Sequence, residues 1–107
     1  MAQHLDTPQL RDLLEREEAL RLVETLQPRE FEKGHLPGAI CIPFTRIGGE
    51  ARKRFGPDDP IVLYCHDEDC KASTRAAEKL ESLGFTRVYE YPPGKRGWQA
   101  DGLPLES

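Results

Sequence analysis

The segment IVLYCHDEDCKAST, residues 61–74, carries two thiols, Cys65 and Cys70, with four residues between them. Cys65 follows directly on an apolar run, and a helix-like stretch begins just beyond Cys70. A loop that leaves a strand and enters a helix N-terminus gathers unpaired backbone N–H groups, which hold anions and stabilise a thiolate. A cysteine placed there is expected to be acidic and nucleophilic. Cys65 is the first residue of the loop, so the amides of residues 66–71 can curl around its sulfur. Cys70 is placed either to attack a sulfur-bound intermediate on Cys65 or to be the nucleophile itself.

The loop side chains narrow that chemistry. Asp67, Glu68 and Asp69 put negative charge beside any thiolate or oxyanion, so support must come from backbone amides, His66, Lys71 or Arg75. His66, Asp67, Glu68, Asp69, Lys71 and Arg75 form the candidate substrate-contacting set. The same carboxylates disfavour a dianionic phosphate ester and leave neutral or transient sulfur species as suitable substrates. Zinc on Cys65, Cys70 and His66 is disfavoured, because C-x4-C is looser than usual ligand spacing and no second cysteine pair exists. No metal or cofactor is expected. Cys41, between Ile40 and Ile42, reads as a core thiol. Trp98 reads as packing, His4 as a solvated terminal residue, and His35 within GHLPG as a turn anchor.

The elements that must position this loop follow from periodicity. In DTPQLRDLLEREE, Thr7 suits an N-cap and Pro8 a first helical position, with Leu10, Leu13 and Leu14 on one face. Residues 20–25 read as a strand, 29–33 as one helical turn, and AICIPF as a buried strand. The polar segment RIGGEARKRFGPDDP has room for one short helix. IVLYC is apolar throughout, as in a parallel strand covered on both faces. STRAAEKLESLGF sets Ala76, Ala77, Leu80 and Leu83 at helical spacing and stops at Gly84. TRVYEY reads as the last strand, followed by the loop PPGKRGWQADGLP. Strands alternating with helices predict an α/β domain with a mainly parallel sheet, and ligands bind beyond the carboxyl ends of such strands.

Composition bounds the rest. A chain of 107 residues fits one domain spanning 1–107. It is 37% hydrophobic and 32% charged with formal net charge -4, a globular composition without a polybasic surface for nucleic acid. No apolar stretch approaches the roughly 18 residues of a membrane span, and MAQHLDTPQL lacks a signal core, so a cytoplasmic location is expected. Three cysteines are too few for a disulfide framework and are expected as thiols.

Together FEKGHLPGAICIP, IVLYC ahead of RAAEKLESLGF, and VYEYPPGKRGWQADGLPLE resemble a single-domain rhodanese over roughly residues 8–106. The resemblance implies a three-layer α/β/α domain with helices on both faces of the sheet. It also implies a catalytic cysteine that takes up sulfane sulfur as a persulfide from a donor such as thiosulfate and passes it to cyanide or a thiol. By position the family's nucleophile falls on Cys65, its loop amides on His66 to Lys71, and its C-terminal tryptophan on Trp98.

This chain departs from the family pattern at several points. Cys70 closes the loop, Ser73 comes two positions late, Pro93-Gly94 replaces Gly-Gly, and Glu24 and Leu26 stand where Asp-x-Arg supplies an ion pair. The implied partners are small sulfur donors, thiol acceptors and a sulfur-relay protein, with the chain a monomer or weak homodimer. The alternative is a non-catalytic docking or redox-sensing module that uses a Cys65–Cys70 disulfide. A phosphatase or arsenate reductase is a third reading, disfavoured by the missing Arg at the loop end.

Overall fold

The apolar runs Arg21–Glu24 and Ile61–Tyr64 lie side by side in register, with Val23 opposite Leu63 and Glu24 opposite Tyr64. Around them a computed structural model, describing residues 2–107, builds a five-stranded, all-parallel sheet in the order β1-β5-β4-β2-β3. The strands are β1 (Gln3–His4), β2 (Arg21–Glu24), β3 (Ile40–Cys41), β4 (Ile61–Tyr64) and β5 (Val88–Glu90). The helices are α1 (Thr7–Arg16), α2 (Pro28–Glu32), α3 (Ile47–Arg54), α4 (Ala72–Ser82) and α5 (Gly94–Ala100), with a 3-10 turn at Phe44–Arg46.

Because side chains alternate across a strand, each sheet face builds its own core. Val23, Ile61, Leu63 and Val88 pack with Ile47 and Ala51 of α3 and Ala76, Ala77 and Leu80 of α4. Leu22, Val62 and Tyr64 point the other way, onto Leu10 and Leu13 of α1, Leu36, Tyr91 and Trp98 of α5. This is the expected α/β architecture with helices on both faces. Each fully buried Leu or Ile contributes on the order of 1.5–3 kcal/mol by leaving water.

Three local readings are corrected. The N-cap of α1 is Asp6: its carboxylate accepts the Gln9 N–H at 2.9 Å while Gln9 Oε1 accepts the Asp6 N–H at 2.8 Å, a reciprocal capping box. Thr7 instead enters the first turn and hydrogen-bonds the Tyr91 hydroxyl. The segment read as a closing loop contains α5, which Pro and Gly concealed. Finally, Gln3 and His4 form an edge strand on β5.

Candidate functional site

Four strands end at the same edge of the sheet, carrying Cys41, Glu24, Tyr64 followed by Cys65, and Glu90. Cys65 leaves β4 as a residue only 1% exposed, with the loop that climbs into α4 against its sulfur. Its Sγ donates toward the Cys70 carbonyl at 3.5 Å and lies 3.4 Å from Ser73 Oγ. The Ser73 N–H, a free amide of the first turn of α4, also bonds the sulfur. Burial outweighs these contacts: it pushes the Cys65 thiol up to about 11, helped by a hydrogen bond with the Cys70 thiol, while the Ser73 hydroxyl and amide pull it down.

The loop amides are spent partly on the loop itself. Asp69 N–H bonds Asp67 Oδ1 at 3.0 Å and Cys70 N–H bonds the Asp67 carbonyl at 3.2 Å. The amide that bonds the sulfur is that of Ser73, just beyond the expected 66–71 set. His66 turns to Glu30, 3.6 Å from its Oε2, and Asp67 faces Arg96 at 3.9 Å. Glu68, Asp69, Lys71 and Arg75 are exposed, and Lys71 and Arg75 form no ion pair among the described residues. A cleft of about 320 Å³ is lined by Asp67, Glu68, Asp69, Pro93, Arg96 and Gly97, with Ala100 at its rim. Neither cysteine lines it. Cys65 lies beneath the loop, and half-buried Cys70 is the more accessible thiol.

The first turn of α5 clamps the loop from the other side. Lys95 N–H bonds the Cys65 carbonyl at 3.1 Å and Arg96 N–H bonds the His66 carbonyl at 2.9 Å. Backbones approach this closely because Gly94, at φ +61°, has no Cβ to strike the Cys65 carbonyl.

The Lys95 side chain then turns inward, with Nζ donating to the Glu30 carbonyl at 2.8 Å and standing 3.1 Å from Glu24 Oε2. Without hydrogen-bond alignment that second contact is a charge pair, and Glu24 Oε2 has no other partner among the described residues. Glu24 Oε1 accepts the Tyr64 hydroxyl at 2.9 Å, and Tyr64 in turn accepts the Leu36 N–H at 3.1 Å. The ion pair expected to be lost with Glu24 at this position is thus supplied from α5. Its partner Lys95, distant in sequence and inside a presumed loop, gave no local signal.

Of the other singled-out residues, Trp98 is buried with Nε1 donating to the Pro104 carbonyl at 2.9 Å. His35 anchors its turn through Nδ1 to the Phe31 carbonyl at 3.0 Å and stacks on the Phe31 ring. Cys41 is half-buried at the end of β3, outside both apolar clusters, and donates to the Leu26 carbonyl at 3.4 Å. His4 is mostly exposed, yet its Nε2 lies 3.4 Å from Glu90 Oε2.

Comparison with known proteins bears on the family and the fold. The chain is 33% identical over 85 residues to YrkF of Bacillus subtilis, whose name provisionally assigns it as a sulfur carrier; the match covers 77% of this chain but 43% of YrkF, under half of that relative's length. It is 29% identical over 98 residues to thiosulfate sulfurtransferase 16, chloroplastic, of Arabidopsis thaliana, covering 81% of this chain and 80% of that protein. The solution structure of the rhodanese-like domain of Anabaena Alr3790 superimposes with a TM-score of 0.87 at 26% identity, covering 100% of this chain and 80% of that one. The pattern of the rhodanese-like domain matches residues 6–101, and the chain belongs to that family.

Proposed function

We propose that this protein is a sulfurtransferase in which Cys65 carries sulfane sulfur. The observation that carries this reading is the placement of Cys65 Sγ at the exit of β4 with both the amide and the hydroxyl of Ser73 on it. With thiosulfate, the Cys65 thiolate attacks the outer sulfur, the S–S bond breaks, and sulfite departs with the bonding pair, leaving Cys65–S–S⁻. Cyanide or an acceptor thiolate then attacks the terminal sulfur and regenerates the Cys65 thiolate. The Ser73 donors stabilise the negative sulfur at each stage. Cys70, hydrogen-bonded to Cys65, is placed to pass the sulfur on or to close a disulfide after release. Relatives named for sulfur carriage and sulfur transfer support a relay protein as donor or acceptor.

The burial of Cys65 and its hydrogen bond to Cys70 favour a second reading, a docking or redox-sensing module. There a peroxide or small disulfide would take two electrons from the thiols and leave a Cys65–Cys70 disulfide. Intact mass with peptide mapping separates the two after reduced protein meets thiosulfate or an organic persulfide. Wild type, Cys65→Ser and Cys70→Ser are compared. One added sulfur on Cys65, absent in Cys65→Ser, is the expected result. Sulfur held only by Cys70 reverses the assignment, and no added sulfur with a disulfide under mild oxidant replaces transfer by redox sensing.

A further inference from the structure

The thiol hydrogen of Cys65 can turn toward Cys70, through its carbonyl or its sulfur, or toward Ser73, and these lead to different places. The Cys70 carbonyl, at 3.5 Å, is a dead end. The Ser73 hydroxyl, at 3.4 Å, is itself 3.5 Å from Oε1 of Glu90, a carboxylate 5% exposed at the end of β5. Alternation along the strands puts Cys65, two residues past Leu63, and Glu90, two past Val88, on the α4 face of the sheet, where Ser73 bridges them. Glu90 Oε2 faces Nε2 of His4, whose side chain is 67% exposed. A small cavity lined by Ala2, His4, Thr74, Ala77, Glu78 and Glu90 opens this end to solvent. A buried carboxylate that gathers a serine, a threonine and a histidine is more than the packing of a strand end requires.

We propose that Ser73 and Glu90 form a proton relay that activates Cys65, with His4 at its solvent end. This deepens the sulfurtransferase reading, on which its catalytic purpose rests. As Cys65 attacks, its S–H proton passes to Ser73 Oγ while the Ser73 hydroxyl proton passes to Glu90 Oε1. The products are a thiolate or sulfur-bound Cys65, an intact Ser73 hydroxyl now donating to that sulfur, and a protonated Glu90. His4 Nε2 or water then takes the proton from Glu90. The double transfer reorients Ser73 from acceptor to donor without a separate rotation, so the negative sulfur gains a hydrogen bond as it forms. The proton leaves on the α4 and β1 side, whereas the acidic cleft lies on the α5 side of the loop.

The charged and titratable groups around this route are His4 on β1, Cys70 in the loop, and Glu78 and Glu81 on α4. Thr74 also donates to Glu90 Oε1 but does not touch the thiol.

The test uses iodoacetamide, a neutral electrophile independent of any sulfur donor, on the full chain carrying Cys41→Ser and Cys70→Ser so that alkylation reports Cys65 alone. In that background Ser73→Ala and Glu90→Gln are expected to slow alkylation about tenfold at pH 7. The gap should close toward pH 10, where hydroxide replaces the carboxylate as proton acceptor. Thr74→Ser, which keeps the hydroxyl that donates to Glu90 Oε1 and trims only a methyl group, is expected to react like its parent. Equal rates for Glu90→Gln and parent at pH 7, a deficit constant across pH, or the same loss in Thr74→Ser each overturn the relay. Alkylation that follows the expected pattern in a protein that accepts no sulfur keeps the relay and removes the transferase.

Discussion

Lys95 Nζ stands 3.1 Å from Glu24 Oε2, and the two side chains are 10% and 0% exposed, so an ion pair sits sealed beneath the cysteine loop. It joins α5, which holds the Cys65 carbonyl, to the strand beside the one that ends in Cys65. Burial raises the Glu24 carboxyl above its ordinary range, opposed by Lys95 and the Tyr64 hydroxyl. A carboxyl whose folded pKa is raised stabilises the native state most below its unfolded pKa, and that contribution is lost as pH rises through the folded value. Lys95→Met leaves Glu24 buried without its cation, at an expected cost of about 3–5 kcal/mol near pH 7. The deficit should shrink toward pH 5 as Glu24 takes up a proton. Urea unfolding at the two pH values checks this, and a deficit that does not narrow would show that the loss is one of packing rather than charge.

Gly94 offers a test of how closely α5 must approach the loop. A Cβ there would strike the Cys65 carbonyl oxygen and come within 2.7 Å of the His66 carbonyl carbon, at φ +61°. Gly38, at φ +83°, has open space around it. Gly94→Ala is expected to cost about 2–4 kcal/mol and Gly38→Ala about 1–2, the left-handed penalty alone. Sulfur loading of Cys65 should fall in the first variant and hold in the second. Equal destabilisation in thermal or urea unfolding would falsify the clamp.

Much of this architecture is legible in the residues because each signal is local. IVLYC is apolar on both faces and becomes the central strand, and Ala76, Ala77 and Leu80 keep helical spacing and bury. What was missed depends on contacts between distant segments. Helix α5 has Pro93, Gly94 and Gly97, the composition of a loop, and is held by the Cys65 and His66 carbonyls, the buried Trp98 and the Lys95 ion pair. The two-residue β1 has a polar sequence and exists only as an edge on β5. At the site, the cysteines are visible in sequence, but Ser73, Glu90 and Lys95 gain meaning only when the sheet end gathers them.

The exposed acidic loop sets the charge that a donor meets. Asp67→Asn keeps the Oδ1 that accepts the Asp69 N–H, so replacing it together with Glu68→Gln and Asp69→Asn alters charge with little effect on the loop bonds. On the transferase reading, kcat/KM for thiosulfate should rise about tenfold at low ionic strength, where a dianion is repelled most strongly. The advantage should fade in added salt. Thiocyanate formation with cyanide as acceptor measures it, and an unchanged or lower rate in the neutralised loop would mean that the carboxylates do not face the donor's path.

Cys65 and Cys70 should separate by both rate and pH. Half-buried Cys70 is expected to be labelled first by a limiting amount of iodoacetamide in the wild-type protein near pH 7, because Cys65 is covered and its thiol is pushed up to about 11. Between pH 7 and 9 the labelling of Cys65 should climb steeply, close to tenfold per pH unit below the pKa, except to the extent that a built-in base assists it. The same burial appears in stability. A thiol that holds its proton more tightly when folded stabilises the native state at neutral pH, and this is lost as pH rises from its ordinary value of 9.0 through about 11. The gap corresponds to about 3 kcal/mol at most. Cys65→Ala removes the titrating group, so urea unfolding at pH 8 and pH 10.5 should show a steeper decline for wild type than for the variant. Parallel declines, or Cys65 labelled ahead of Cys70, would mean that in solution the loop stands open over the sulfur.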